Sequence, residues 1–263
     1  MTLELAARPS LAPFTEEAVF IGRSIRHSLR NVEALVMSVA LPVILMLLFT
    51  FVCGGAIDAT GDYVDFVVPG IILVCAGFGA ASTAVSVNQD MTLGIIDRFR
   101  TMPIRAGVVL TGHIVASLAR NLLATAVVVG VGLAVGFRPS AGPLEWFAAV
   151  GLVALYILAI TAIFATIGLA ASSPDAASGY GFILLFLPYL SSAFVPIATM
   201  PTWLQPIAEF LPVTPIIDAI RALLLGTPLD GWDIVWSLAW CLGFILLAAV
   251  WGSWLFRRKA ARR

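Results

Sequence analysis

The hydrophobic positions of this chain fall into six long runs separated by short polar segments. The runs cover residues 34–53, 66–87, 108–137, 146–171, 179–198 and 234–256. About 20 residues of α-helix cross the roughly 30 Å hydrocarbon core, where only helices or closed barrels satisfy their own backbone groups. Apolar and polar residues do not alternate with a period of two, so a barrel is disfavoured. The pattern predicts an all-α integral membrane protein with six transmembrane helices and a single domain over residues 1–263.

A shorter amphipathic pattern precedes the first run, in residues 14–33. Apolar side chains recur there at helical spacing, and the opposite side contains Arg23, Arg26 and Arg30. This arrangement predicts a helix lying in the inner interface, with its cations facing anionic headgroups. A plain basic flank that only sets topology is the alternative, and contact with a partner protein is compatible with the helix.

The segment between the fifth and sixth runs, residues 200–226, is apolar but too broken to cross a membrane. Pro201, Pro206, Pro212 and Pro215 divide it into pieces shorter than one span. If 213–226 did cross, the arginine-rich tail would lie outside. We therefore expect a re-entrant pair of short helices that dips into the outer leaflet and returns.

Composition and charge placement agree with a membrane protein and give it an orientation. The chain is 60% hydrophobic and 11% charged, with a mean hydropathy of +1.02, whereas soluble domains are about 45–50% apolar. Basic residues cluster before the first run, between the second and third, and after the last, which predicts that both termini are cytoplasmic. One lysine among 15 basic residues is typical of a GC-rich bacterial genome, so we expect the bacterial cytoplasmic membrane.

The sequence lacks the motifs of an enzyme. There is no GxxxxGK[ST] motif, and the one lysine, Lys259, lies in the tail, so a phosphate-binding loop is excluded. The three cysteines and the histidines His27 and His113 have no metal-ligand spacing. We expect no catalytic residue, no metal site and no cofactor bound by this chain.

Ionisable residues are also scarce inside the runs, although carriers driven by ion gradients need them there. Arg120 is the strong exception. Its distance from Phe137 allows it to reach the inner boundary and snorkel, and a buried functional role is the alternative. The scarcity of such residues indicates that the energy for any transport comes from elsewhere.

Residues 90–103 form a charged amphipathic segment between two apolar runs. Asp90 is placed to cap a short helix, Phe99 belongs to its apolar side, and Pro103 stops it. Such a helix would transmit a push from a soluble partner into the membrane, although the spacing alone also fits an ordinary charged loop.

Two further sets of residues are candidates for a substrate path and an outer gate. Small or aromatic residues on the second and fifth runs predict an uncharged path, with close helix packing as the alternative: Gly77, Ser82, Thr83, Ser86, Phe182, Phe186, Tyr189 and Phe194. A pair between Asp218 and Arg221, three residues apart on one helical face, would act as the gate beside Pro212. Glu209 would compete for Arg221.

The charged segment resembles the coupling-helix signature of type 2 ABC exporter permeases. The residues of that resemblance are Asp90, Gly94, Asp97, Arg98, Phe99, Arg100 and Pro103. The outer segment is similar to that of the daunorubicin-resistance-like permeases within this family, through Pro201, Trp203, Pro206, Pro212, Thr214, Arg221 and Gly226.

The resemblance implies a half-transporter that pairs with itself or a paralogue and docks two soluble P-loop ATPase subunits, which bind ATP and Mg. Its cargo would be an antibiotic, a lipid, a glycolipid or a polysaccharide. Membrane lipids are further partners, and nucleic acid is not. The alternatives are a lipid flippase subunit and a non-transporting immunity or scaffold protein.

Overall fold

The computed structural model describes residues 32–57, 62–93, 107–228 and 231–261, and the regular structure in these ranges is helical. The first helix, α1, continues from Val32–Leu48 through a π-helical stretch, Phe49–Cys53, to Gly54–Ile57. The other helices are α2 (Tyr63–Thr92), α3 (Gly107–Val135), α4 (Pro143–Ala170), α5 (Pro174–Leu184), α6 (Gln205–Phe210), α7 (Val213–Leu225) and α8 (Gly231–Ala261). Two 3₁₀ turns, Leu187–Leu190 and Ile197–Thr199, follow α5.

Five of the described helices are long and apolar enough to cross a membrane. They are α1, α2, α3, α4 and α8, and they correspond to the first four predicted runs and the last. Their apolar segments are 20 to 30 residues long, which is sufficient for the hydrocarbon core. The predicted all-α integral membrane fold is confirmed at this level.

The prediction of one continuous helix over 179–198 is wrong. Helix α5 begins after Ser173, whose hydroxyl accepts the N–H of Ala176 at 3.1 Å, and it ends at Leu184. Pro188 lies in the following 3₁₀ turn. Proline has no N–H and its ring crowds the preceding turn, which favours a break here, although α1 and α2 continue through Pro42 and Pro69. The chain then forms turns as far as Pro196.

The interrupted segment nevertheless runs antiparallel to α2 and packs along it. Gly181 lies against Ala81, and Ala193 packs directly on Gly70. Near the start of α2 the hydroxyl of Tyr63 donates to the carbonyl of Phe194 at 2.7 Å. Residues 181–194 therefore follow more than half the length of α2.

Helix α2 is the centre of the bundle. In the most apolar 18-residue stretch of α2, 78% of the residues are buried, whereas only 17% are buried in the corresponding stretches of α1 and α8. It contacts α1, α3, α4, α5 and α7. Its small residues permit this close packing: a Cβ on Gly79 would lie 1.5 Å from the Oδ1 atom of Asn121 in α3.

The segment 200–226 contains the two short helices α6 and α7. Helix α7 buries Ile216, Ile217 and Ile220 in the main core and ends at Gly226, whose φ of 66° is left-handed. The carbonyl of Leu224 accepts the N–H of Ser140 at 3.0 Å, which ties the end of α7 to the loop between α3 and α4. The pair therefore lies at the end of the bundle where α3 ends; its re-entrant depth stays a prediction.

Candidate functional site

The predicted coupling segment is described only at its first residues. Gly94, Asp97, Arg98, Phe99, Arg100 and Pro103 lie outside the described residues, as do Arg23, Arg26 and Arg30 of the predicted interfacial helix. Asp90 does not cap a new helix, because α2 continues through it to Thr92. Its Oδ2 atom lies 2.9 Å from Nε2 of His113 in α3, so the pair joins the two helices that flank residues 94–106.

The middle of the bundle contains the side chain of Arg120. This residue is the fourteenth of the 29 in α3 and is only 9% exposed, so it is buried in the bundle and does not snorkel to its boundary; a functional role for it stays a prediction. Its Nη2 donates to the carbonyl of Gly79 at 3.0 Å and to the hydroxyls of Ser82 and Thr83 at 2.7 and 3.2 Å. A carbonyl and two hydroxyls of α2 thus supply the polar environment that a buried guanidinium requires.

Hydroxyl groups extend this polar cluster to α4. Thr83 donates to Oγ of Ser117 at 2.8 Å, and Ser117 lies 3.4 Å from the hydroxyl of Thr161. Ser86 donates to the carbonyl of Ser82 at 3.0 Å. Of the predicted path residues, Thr83 is therefore buried within the bundle, whereas Ser82 and Ser86 are half-buried.

The sequence reasoning did not single out the polar stripe of α3 that forms this cluster. Polar residues recur there at helical spacing, at His113, Ser117, Arg120–Asn121 and Thr125. That spacing is a signal for a buried polar face. Asn88 was not predicted either. Its amide donates to the carbonyls of Gly168 and Ala171 at 2.9 and 2.8 Å and fastens α2 to the end of α4.

The four predicted aromatic residues lie in one row. The ring centroids of Phe182 and Phe186 are 5.1 Å apart, those of Phe186 and Tyr189 6.0 Å, and those of Tyr189 and Phe194 4.9 Å. Phe49 in α1 continues the row, 4.4 Å from Phe194. Phe182 and Phe186 are more than half exposed and Phe194 is buried, so the row leads from the surface into the bundle.

The remaining predicted path residue, Gly77, lies apart from this row. It is buried in α2 and packs against the side chain of Leu185. In this conformation Gly77 therefore serves close packing of the segment after α5 on α2.

The predicted pair of Asp218 and Arg221 is present and belongs to a larger cluster. Nη1 of Arg221 donates to Oδ1 of Asp218 at 2.6 Å, and Nη2 donates to the carbonyls of Ser192 and Phe66 at 2.8 and 3.1 Å. Cζ of Arg221 also lies 4.0 Å from the ring centroid of Phe66, and the Ser192 hydroxyl donates to Asp218 at 2.8 Å. This outer cluster joins α2, the turn before Pro196, and α7.

The other two gate candidates, Pro212 and Glu209, lie outside the contacts of the outer cluster given above. Pro212 immediately precedes α7. Glu209 lies on α6 and, with Asp218, lines a cavity between α6, α7 and α8.

Long apolar helices around a small-residue central helix, with polar groups paired inside the bundle, define a multi-pass integral membrane protein. Residues 16–225 match the sequence model of the ABC-2 type transporter family, and the chain belongs to this family.

Its relatives are permeases. The chain is 34% identical over 225 residues, 85% of its length and 79% of the relative's, to a daunorubicin resistance ABC transporter permease of Streptomyces coeruleorubidus. It is 26% identical over 223 residues, 84% of its length and 80% of the relative's, to a probable doxorubicin resistance ABC transporter permease of Mycobacterium tuberculosis. The chain is therefore a permease subunit of an ABC transporter, a transport subunit rather than an enzyme, and this class associates with an ABC ATPase subunit.

Proposed function

We propose that this chain is the membrane permease of an ATP-driven exporter that moves a hydrophobic or amphipathic drug out of the cytoplasm or the inner leaflet. The observation that supports this most is the 34% identity, over 85% of the chain, to a permease named for daunorubicin resistance. The uncharged row of Phe182, Phe186, Tyr189 and Phe194 suits cargo of this kind, because aromatic side chains contribute apolar contact area.

The energy for transport comes from two soluble ATPase subunits, which bind ATP and Mg, while this chain binds no cofactor. The permease pairs with a second copy or a paralogue and contacts membrane lipids. Residues 90–103 transmit the closing motion of the ATPases, and the Asp90–His113 contact at 2.9 Å holds together the helices at both ends of this connection.

The chain lies in the bacterial cytoplasmic membrane with both termini in the cytoplasm. The segment 174–194 supplies the remaining one of six crossings, the fifth in chain order, and is interrupted after Leu184; it follows α2 from Ala81 to Gly70. Helices α6 and α7 then form a re-entrant pair in the outer leaflet, and the interfacial helix at 14–33 lies on the inner one. The outer cluster around Arg221 is the gate, because it bonds three segments that must separate for cargo to leave.

Transport into inside-out vesicles tests this function. Vesicles that contain the permease and its ATPase should accumulate doxorubicin in an ATP-dependent manner, measured by the fluorescence of the drug. Vesicles with an ATPase variant that lacks its P-loop lysine should not. The variant Arg100→Glu should abolish accumulation at normal permease abundance, whereas Arg138→Ala, at the end of the bundle opposite the Asp90–His113 contact, should not. Equal accumulation with and without the permease would overturn the proposal.

A further inference from the structure

A cavity of about 420 Å³ lies between α6, α7 and α8. Pockets of about 300–1,000 Å³ accommodate drug-sized molecules. Three carboxylates and three aromatic rings line it: Glu209 and Phe210 from α6, Asp218 from α7, and Asp233, Trp236 and Trp240 from α8. Its walls combine apolar surface with a few converging polar groups, as ligand sites do.

The polar part of this lining has one sign of charge. Its carboxylates come from three different helices, and none of the described residues that line the cavity is basic. Arg221 pairs with Asp218 at 2.6 Å, bonds the carbonyls of Phe66 and Ser192 through its other nitrogens and is not part of the lining. It offsets the charge of Asp218, so Glu209 and Asp233 supply the net negative charge of the cavity. A cation inside the cavity would therefore be attracted, and an anion repelled.

The apolar part of the lining also suits a cation. Trp236 and Trp240 are four residues apart and therefore lie on one face of α8. Trp236 is 53% exposed and Phe210 is 80% exposed, so ring surface is available to a ligand. Tryptophan offers the most favourable aromatic face for a cation. An aromatic belt at a membrane interface would account for the tryptophans alone, but it does not account for carboxylates that converge from three helices.

We infer that this cavity binds an organic cation attached to an apolar or aromatic body. The inference rests on the proposed function, because it assigns a charge to the exported cargo. Two sources offer this chemistry: an amphipathic cationic drug, and the cationic headgroup of a zwitterionic lipid. Both would place the positive centre between the carboxylates and the tryptophan faces.

Equilibrium dialysis with the purified permease in an uncharged detergent tests the binding. The probe is tetraphenylphosphonium, and tetraphenylborate is its control of the same shape and opposite charge. The double variant Glu209→Gln/Asp233→Asn and the variant Trp236→Leu should each bind tetraphenylphosphonium about tenfold more weakly. Asp175→Asn changes an exposed carboxylate near the start of α5 and should bind as the unaltered protein does. Equal affinity for all four proteins, or equal binding of the borate, would overturn the inference.

Added phosphatidylcholine then distinguishes the two sources. Competition with tetraphenylphosphonium in the unaltered protein, but not in the double variant, identifies the site as a lipid headgroup site. Undiminished binding identifies it as a cargo site. Dialysis needs no ATPase, so the binding result is independent of transport. If vesicles with the permease and its ATPase show no ATP-dependent doxorubicin accumulation, the proposed function is contradicted. Unchanged tetraphenylphosphonium binding in the variants contradicts this inference alone.

Discussion

Arg120, which is buried, and Arg221, which is half-buried, both contact α2 but in different ways. Arg120 in α3 donates to Gly79, Ser82 and Thr83, which all belong to adjacent turns of one helix. Arg221 in α7 bonds Phe66 of α2, Ser192 of an irregular turn and Asp218 of its own helix. The first arginine therefore fastens two long helices, and the second holds together a short helix, a turn and the start of α2.

Under the proposed function, this difference predicts which part of the permease moves. Long helices with many intrahelical bonds behave as rigid bodies, whereas short elements and turns supply hinges and latches. The Arg120 cluster has hydroxyl partners on α2, α3 and α4 around the bundle centre, so its loss should affect folding. The outer cluster depends on few contacts at one end of the bundle, so its loss should affect opening.

Arg120→Met should have the largest effect on stability. It removes three hydrogen bonds from a charged donor, although the Gly79 carbonyl keeps those from the Ser82 and Thr83 hydroxyls, and the net cost should be about 3 kcal/mol. The thermal midpoint in detergent should fall by roughly 6–12 °C. Arg120→Lys should restore part of the loss, since one ammonium reaches fewer of these acceptors than a guanidinium does. A midpoint within error of the unaltered protein would show that the contacts around Arg120 do not stabilise the fold.

Gly79→Ala should be the next most destabilising change. The new Cβ would lie 1.5 Å from Oδ1 of Asn121, and such overpacking costs about 1–3 kcal/mol. Gly151→Ala in α4 is the matched control, because no neighbouring atom lies within 4 Å of its added Cβ. The control should be neutral or stabilising by about 0.5–1 kcal/mol, from helix propensity. Equal thermal midpoints for the two variants would argue against close packing of α2 on α3.

Arg221→Ala should leave the bundle folded but loosen its outer end. Ser192 is only 5% exposed; when Ser192→Cys is introduced after replacement of Cys53, Cys75 and Cys241 by alanine, maleimide should label it slowly. Adding Arg221→Ala should accelerate labelling several-fold. Asp218→Asn should have a smaller effect, because Arg221 retains its bonds to Phe66 and Ser192. Unchanged labelling rates in both variants would show that the outer cluster does not act as a gate.

Asp90→Asn should have the smallest effect on stability. The side chains of Asp90 and His113 are 29% and 20% exposed, and partly solvated pairs contribute about 1 kcal/mol or less. The thermal midpoint should therefore shift by no more than roughly 4 °C, while ATP-dependent accumulation falls. A large loss of stability would instead assign the pair a structural role.

The sequence predicted those features that depend on local patterns. Five of the six apolar runs correspond to membrane-length helices, because length and hydropathy determine them, and the i, i+3 spacing anticipated the contact of Asp218 with Arg221. Features that depend on tertiary packing were missed. The burial of Arg120 requires the carbonyl of Gly79 on another helix, and α2 continues through Asp90, which the sequence had placed at the start of a new one. The break after Leu184 had a visible signal in Pro188, but the apolar run concealed it.

The most direct test of the account is the source of energy for transport. Proteoliposomes that contain this permease alone should not accumulate doxorubicin against its gradient, with or without an imposed proton gradient. Adding the ATPase subunit and ATP should produce accumulation that stops when hydrolysis is blocked. Uphill accumulation by the permease alone under a proton gradient would contradict the account.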